Sequence, residues 1–211
     1  MQSLDIVQIL IGFGVLLVSL TVHEAAHAFT ADRLGDPTAR RLGRVSLNPA
    51  VHVDPIGTIL FPLIALATRL PLIGWAKPVP VNGRNLQHYR RDFMLIAAAG
   101  PASNLMLAVL AAVVWRTLSL GADGAHAVPD LVASIVERAL IINVLLAVFN
   151  MIPVPPLDGG NVLAGLLPPG VARQYDRLRP FGFLVLYALM FTGTLWTIVG
   201  PPARFILSWL M

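Results

Sequence analysis

Four apolar runs in the sequence are long enough to cross a membrane as helices. They cover residues 6–30, 92–118, 131–152 and 181–199, and the hydrocarbon core of a bilayer needs about 20 apolar helical residues. Of the 211 residues, 56% are hydrophobic and 12% are charged, against roughly 25% charged in soluble domains. We therefore predict an all-α polytopic membrane protein of about four transmembrane helices, a single domain over residues 1–211, with lipid as its solvent.

A fifth apolar stretch, residues 56–68, is too short to cross the membrane alone. Pro55 and Pro71 bracket it and Pro62 interrupts it, and proline disfavours a continuous helix. We predict that residues 56–76 form a re-entrant segment that dips into the membrane and returns. If this segment crossed instead, the basic loops on either side of it would face opposite sides of the membrane.

The segments that flank this dip combine alternating apolar residues with proline, glycine and asparagine. They read GRVSLNPAVHVD (residues 43–54) and GWAKPVPVNGRNL (residues 74–86). Such a pattern favours strands and turns over helix. We expect small membrane-associated β-strands around residues 43–53 and 77–85.

The distribution of lysine and arginine predicts the orientation. These residues are concentrated in loops 31–55, 77–92 and 170–180, whereas residues 119–130 contain neither. Short basic loops stay in the cytoplasm, which places both termini outside. The net charge of +4 comes mainly from these loops, so it indicates orientation and not a nucleic-acid partner. The chain contains no cysteine, which excludes thiolate catalysis and cysteine metal ligands.

The segment HEAAH lies inside the first apolar run. His23 and His27 are four residues apart, so on a helix they share one face and can bind one metal ion. Imidazole nitrogens suit a catalytic Zn²⁺ that lowers the pKa of a bound water, and Glu24 can take the proton of that water. Because ionisable residues inside a membrane are costly and mark functional sites, we favour a metal site over histidines that merely pack in a core.

A third metal ligand has to come from elsewhere at the same depth. His52, His88 and His126 lie in loops, whereas Asp158 follows the third span in PVPPLDGG. That segment taken alone has the composition of a plain turn. However, the first span runs inward and carries the histidines near its inner end, and the third span also runs inward. Asp158 is therefore expected at their depth and is the preferred third ligand.

Asparagines in the second and third spans allow two interpretations. Asn104, in AAAGPASNLMLA (residues 97–108), can hold helices together or donate a hydrogen bond to a substrate carbonyl or its oxyanion. Asn150 invites the same two readings, so both are candidate catalytic residues. Asn143 is interpreted as structural.

These motifs together resemble the site-2 protease family of intramembrane zinc metalloproteases, peptidase family M50. HEAAH fits its HExxH motif, NMIPVPPLDGG (residues 150–160) fits N-x-x-P-x-x-x-LDG, and AGPASN (residues 99–104) fits G-P-x-x-N. The resemblance covers nearly the whole chain. It implies that His23, His27 and Asp158 bind zinc, that Glu24 is the catalytic base, and that peptide bonds in or beside transmembrane helices are hydrolysed.

Partners and location follow from this interpretation. We expect a membrane-protein substrate with a transmembrane helix, the lipid bilayer, and control by the membrane region, the short loops or a separate adaptor protein, since neither a PDZ nor a CBS domain is evident. The expected location is a bacterial or archaeal plasma membrane, with the active site towards the cytoplasm. The alternative is a non-enzymatic membrane protein, either a metal transporter or a degenerate protease scaffold. Transporters often show two related halves, which this sequence does not.

Overall fold

A computed structural model of the chain describes residues 6–68, 74–120 and 130–211. Within those ranges the secondary structure is helical, and three helices are long and apolar enough to cross a membrane, namely α1, α4 and α5. The chain is an integral membrane protein. The α-helices are α1 (Ile6–Arg33), α2 (Thr38–Arg41), α3 (Phe61–Thr68), α4 (Tyr89–Leu120), α5 (Asp130–Asn150), α6 (Asp158–Leu166), α7 (Pro169–Asp176), α8 (Gly182–Phe191) and α9 (Thr194–Leu210).

Helices α1 and α4 pack side by side and run in opposite directions. His23 on α1 contacts Asn104 on α4, and His27, one turn later on α1, contacts Ile96, two turns earlier on α4. Helix α5 contacts both of them and completes a three-helix bundle.

Helix α5 runs parallel to α1. Near the start of both helices, Arg138 donates two hydrogen bonds to the Gln8 side chain, and further along Asn143 donates to Ser19. The ends of α1 and α5 therefore lie at the same end of the bundle. This arrangement brings α6, which follows α5, next to the histidines of α1.

The bundle has apolar side chains outside and small or polar side chains between its helices. Leu10 and Met106 are each 63% exposed on the outer surface of α1 and α4, whereas Ala108, Val144 and Ala203 are buried together where α4, α5 and α9 meet. Small residues let helix backbones approach closely in a membrane. An apolar exterior of this kind matches lipid, and the polar groups of the site are enclosed by protein.

The fourth predicted span, residues 181–199, is not one straight helix. Helix α8 ends at Phe191 and α9 begins at Thr194, after Gly193 with a φ of 75°. The helices before and after this break are bent by 82° relative to each other. A residue in the left-handed backbone conformation interrupts the helical hydrogen bonds, and glycine adopts this conformation without steric cost. Hydropathy does not register such a break.

The predicted β-strands are wrong for the part of the chain that the structure describes. Segment 43–53 contains a 3₁₀ turn, Pro49–Val51, and segment 77–85 overlaps another, Gly83–Asn85. Asn48 and Asn82 cap these turns by accepting hydrogen bonds from backbone N–H groups with their side chains. Side-chain acceptors of this kind compete with strand pairing, which explains the error.

The predicted dip is a π-helical turn, Pro55–Leu60, followed by α3. Residues 69–73 of this segment lie outside the described residues. Beyond them the chain returns to its starting point, because Trp75 donates its N–H to the Gly57 carbonyl over 3.2 Å and Thr58 Oγ1 donates to the Trp75 carbonyl over 2.8 Å. The two ends of the segment therefore lie beside each other, and whether the segment enters the membrane stays a prediction.

Candidate metal centre

Helix α1 presents the HEAAH residues to the interior of the bundle. His23, Glu24 and His27 are 4%, 9% and 7% exposed, and one side-chain ligand atom from each lies within 4.8 Å of the others. The i, i+4 spacing stacks the two imidazoles on one face, with ring centroids 4.6 Å apart. Titratable groups so enclosed need polar partners or a metal ion.

Asp158, the first residue of α6, reaches this cluster. Its Oδ2 lies 3.0 Å from His23 Nε2 and its Oδ1 lies 3.4 Å from His27 Nε2. The parallel course of α1 and α5 produces this meeting, since α5 ends at the level of the histidines and a short turn leads to α6. The structure therefore brings the three predicted metal ligands together.

Hydrogen bonds at the other ring nitrogens determine the form of each histidine. His23 Nδ1 lies 2.6 Å from Asn104 Oδ1, and His27 Nδ1 lies 2.7 Å from the Ile96 carbonyl oxygen. Both partners are acceptors, so each Nδ1 carries a proton, and in the neutral form of each ring the lone pair is on Nε2. Partners of this kind orient metal-ligating histidines in proteins.

In their neutral forms the two rings direct Nε2 lone pairs at the oxygens of the Asp158 carboxylate. Asp158 Oδ2 is buried and has no hydrogen-bond partner among the described residues, although His23 Nε2 is close to it. Lone pairs that face each other repel, so either a proton on each Nε2 or a metal ion has to lie between the nitrogens and the oxygens. Ligand atoms about 2.0–2.1 Å from a tetrahedral zinc lie roughly 3.3 Å apart, close to both N–O distances. Residues and geometry therefore fit zinc.

Helix α4 leaves room at this cluster through Gly100. A Cβ atom at that position would lie 2.5 Å from the Nε2 atoms of both His23 and His27. A contact that short is not tolerated, so a side chain here would displace both imidazoles. Glycine at position 100 therefore allows α4 to pass directly beside the candidate metal ligands.

Asn104 is completely buried and contacts His23 through its side-chain oxygen. Its Nδ2 group donates to Asn143 Oδ1 over 2.9 Å and lies 3.4 Å from the Ser19 carbonyl. Asn143 Nδ2 in turn donates to Ser19 Oγ. These contacts correspond to the structural interpretation of Asn104, because its amide group donates to Asn143 and lies near Ser19. Its role as an oxyanion donor stays a prediction. Sequence reasoning missed Ser19, which lies one turn before His23 on the same face.

The remaining candidates make their hydrogen bonds to residues outside this cluster. Asn150 donates to the Leu146 carbonyl of its own helix, so its role as a catalytic donor stays a prediction. His52 is buried in the loop after α2 and bonds to the Ser46 carbonyl. The backbone N–H of His88 donates a hydrogen bond to the Asp92 carboxylate at the start of α4. His126 and residues 121–129 lie outside the described residues.

A buried carboxylate outside the spans fixes the loops beside the site. Asp36 is completely buried and accepts hydrogen bonds from Thr38, from the Asn82 N–H over 2.6 Å and from Asn85 Nδ2 over 2.7 Å. Burial raises the pKa of Asp36, but the hydrogen bonds from Thr38, Asn85 and Asn82 outweigh it and keep this pKa below its ordinary value. Asp36 thus ties the end of α1 to the segment that precedes α4.

Comparison with known proteins yields a family match and several relatives. The family model described as "Peptidase family M50" matches residues 117–192, a stretch that contains Asp158. The Bacillus subtilis protein named "Putative zinc metalloprotease YwhC" is 37% identical over 178 residues, covering 84% of this chain and 78% of that protein.

Two mycobacterial relatives carry a similar name. The Mycolicibacterium smegmatis protein named "Putative zinc metalloprotease Rip2" is 34% identical over 182 residues, covering 85% of this chain, and its Mycobacterium tuberculosis counterpart is 34% identical over 180 residues. The chain spans 66% of the length of both mycobacterial proteins. No solved structure matches the chain significantly.

Proposed function

Because this chain belongs to peptidase family M50, the site-2 protease family, we propose that it is a zinc metalloendopeptidase that cleaves membrane proteins. The peptide bonds that it cleaves would lie in or beside the transmembrane helices of its substrates. His23, His27 and Asp158 would hold the zinc ion, and Glu24 would act as general base. The active site would open towards the cytoplasm of a bacterial or archaeal cell.

One observation carries this proposal. The Nε2 atoms of two imidazoles converge on one carboxylate, 3.0 and 3.4 Å away, and Glu24 belongs to the same buried cluster. A purely structural cluster would place protons between the nitrogens and the oxygens. Here Asn104 and the Ile96 carbonyl accept the Nδ1 protons, so the neutral rings present Nε2 lone pairs that can bind a metal cation together with Asp158.

The side chains have separate tasks in the proposed reaction. A bound zinc ion supplies Lewis acidity that lowers the pKa of water and polarises the scissile carbonyl. Glu24 adjoins His23 in sequence but points about 100° away around the helix, so it can remove a proton from the attacking water without being a ligand. It then delivers this proton to the leaving amide nitrogen. Asn104 and the Ile96 carbonyl hold the imidazoles in the required tautomer and orientation.

The substrate has to unwind before it is cut. An intact transmembrane helix uses its carbonyls in internal hydrogen bonds, and a membrane offers no water to replace them. No strand edge is present in the described segments beside the site, so an unwound substrate would bind to individual donors in those loops and not to a preformed sheet.

Replacing Glu24 tests the proposal. Glu24→Gln keeps the size of the side chain but removes its basicity, so we expect cleavage of co-expressed single-span reporters to disappear while purified protein retains zinc. Glu137→Gln, on an exposed position of α5, is the matched control and should cleave like the parent. Undiminished cleavage by Glu24→Gln would contradict the mechanism.

A further inference from the structure

A cluster of basic side chains lies outside the candidate metal centre, where α4, α6 and α7 meet. Two of the basic loops that predict the orientation of the chain contribute to it. Arg90 comes from loop 77–92, and Arg173 and Arg179 come from loop 170–180. All three arginines line one cavity of about 300 Å³. Charges that are far apart in the sequence are therefore concentrated at one place in the structure.

Hydrogen bonds hold the walls of this cavity together. Arg90 Nη2 on α4 donates to the Ala164 carbonyl over 3.0 Å and also to the Leu167 carbonyl, which ties α4 to the end of α6. Arg179 Nη1 donates to Asn161 Oδ1 over 2.9 Å, which ties the segment after α7 to α6. The cavity is therefore bounded by elements that are bonded to one another.

Positive charge exceeds negative charge in the cavity. Asp176 is the carboxylate that lines it, and this carboxylate accepts a hydrogen bond from Arg179 Nε over 2.8 Å. Within the described ranges Arg90 and Arg173 form no ion pair, and the Arg173 side chain makes no hydrogen bond. Neighbouring cations repel each other, and an anion bound between them removes this repulsion.

The polar groups that remain in the cavity are hydrogen-bond donors. A guanidinium group has donors and no acceptor. Asn161 uses its side-chain oxygen for Arg179, so its Nδ2 group is a further donor. A phosphate group has three strong acceptor oxygens and matches the planar fork of arginine, so it can bind several of these donors at once. A carboxylate has only two oxygens and would satisfy fewer of them.

We propose that the cavity between α4, α6 and α7 is an anion site that binds a phosphate group through Arg90, Arg173 and Asn161. Its volume of about 300 Å³ is at the lower end of the range for small-molecule sites, which suits a ligand of headgroup size. An anionic lipid headgroup and a soluble phosphate present the same oxygens. The site is separate from the metal centre, and the inference does not depend on the protease function.

The test measures phosphate binding by the purified full chain in neutral detergent at constant ionic strength. Inorganic phosphate is the first probe, and calorimetric titration gives its dissociation constant. Losing a hydrogen bond to a charged donor weakens binding about 10- to 100-fold, so we expect Arg173→Gln to bind phosphate that much more weakly than the parent. Arg177→Gln is the matched control, because Arg177 is exposed directly after α7 and does not line the cavity.

Phosphatidylglycerol is the second probe, with phosphatidylcholine as the zwitterionic comparison. Native mass spectrometry counts the lipid that each protein retains. Phosphatidylglycerol retained by the parent and lost by Arg173→Gln assigns the site to a lipid headgroup, whereas binding of inorganic phosphate alone assigns it to a soluble phosphate. If the parent binds neither probe, or if Arg173→Gln and Arg177→Gln bind equally well, the inference is overturned.

Asp176→Asn covers the case in which Arg173→Gln does not fold. This exchange removes the carboxylate that lines the cavity, so the affinity for the anion should rise, by about two- to fivefold for an exposed charge. The change is opposite in direction to that expected for Arg173→Gln. An affinity of Asp176→Asn that is equal to or lower than that of the parent overturns the inference.

Discussion

His23 Nε2 lies 3.0 Å from Asp158 Oδ2, although the two residues are far apart in the sequence. Helix α1 supplies the histidine, and the start of α6 supplies the carboxylate after the chain has crossed the bundle twice more. Neither segment can bind zinc tightly alone. Assembly of the candidate metal site therefore depends on the packing of α1, α4 and α5.

Asn104 should tune metal affinity through His23. Asn104→Ala removes the acceptor of the His23 Nδ1 proton, and losing such a partner reduces metal affinity about 10- to 100-fold. Competition with a zinc chelator measures this change. Asn150→Ala is the control, since Asn150 bonds within its own helix, and it should leave zinc affinity unchanged. Equal zinc affinities for both variants would show that Asn104 does not position the ligand.

Gly100 should be required for zinc binding. In Gly100→Ala the new methyl group would lie 2.5 Å from the Nε2 atoms of both histidines, so we expect the zinc content of purified protein to fall well below one per chain. Gly14→Ala on α1 is the matched control, because a Cβ at position 14 meets no atom within 4 Å. Stoichiometric zinc in Gly100→Ala would mean that α4 does not pass this close to the site.

Asp36 should make the loops beside the site sensitive to acid. Its folded-state pKa lies below the ordinary value of 3.8, so the folded protein binds this proton less readily than the unfolded chain. The stabilisation is fully present above the unfolded-state pKa and is lost as the pH falls through the folded-state pKa. Asp36→Asn exchanges a carboxylate acceptor for a donor and should cost about 1–3 kcal/mol near neutral pH.

Thermal unfolding in detergent measures this effect as the difference between the parent and Asp36→Asn. The difference should be constant above the ordinary carboxyl pKa and should shrink below it. Other acid-sensitive groups, including the metal ligands, affect both proteins equally, so their contributions cancel in this difference. A difference that does not change with pH would refute the role given to the Asp36 carboxylate.

The sequence predicted the long helices, and it selected the three candidate metal ligands that the structure brings together, because each leaves a local signal. Apolar runs of spanning length indicated α1, α4 and α5, and the four-residue spacing put His23 and His27 on one face. Asp158 was then preferred as the third ligand, because the histidines of α1 and the end of α5 were expected at a common depth. All these arguments need only the helical repeat and the direction in which each span runs.

The sequence was less informative where the structure depends on side-chain partners. Asn48 and Asn82 cap 3₁₀ turns in segments that alternate like strands, and Gly193 breaks an apolar run that reads as one span. Arg44 looked like one more charge in a basic loop. Its burial arises from contacts with His52 and the Lys77 carbonyl, and a sequence pattern does not reveal contacts of that kind.

Metal analysis of Asp158→Ala tests the central claim most directly. The parent protein, purified in detergent without added metal, should contain one zinc ion per chain, and Asp158→Ala should lose it because two imidazoles alone hold zinc weakly. Asp176→Ala, which removes a carboxylate from an exposed pair with Arg179, should retain the metal. One zinc per chain in Asp158→Ala would contradict a metal site divided between α1 and α6.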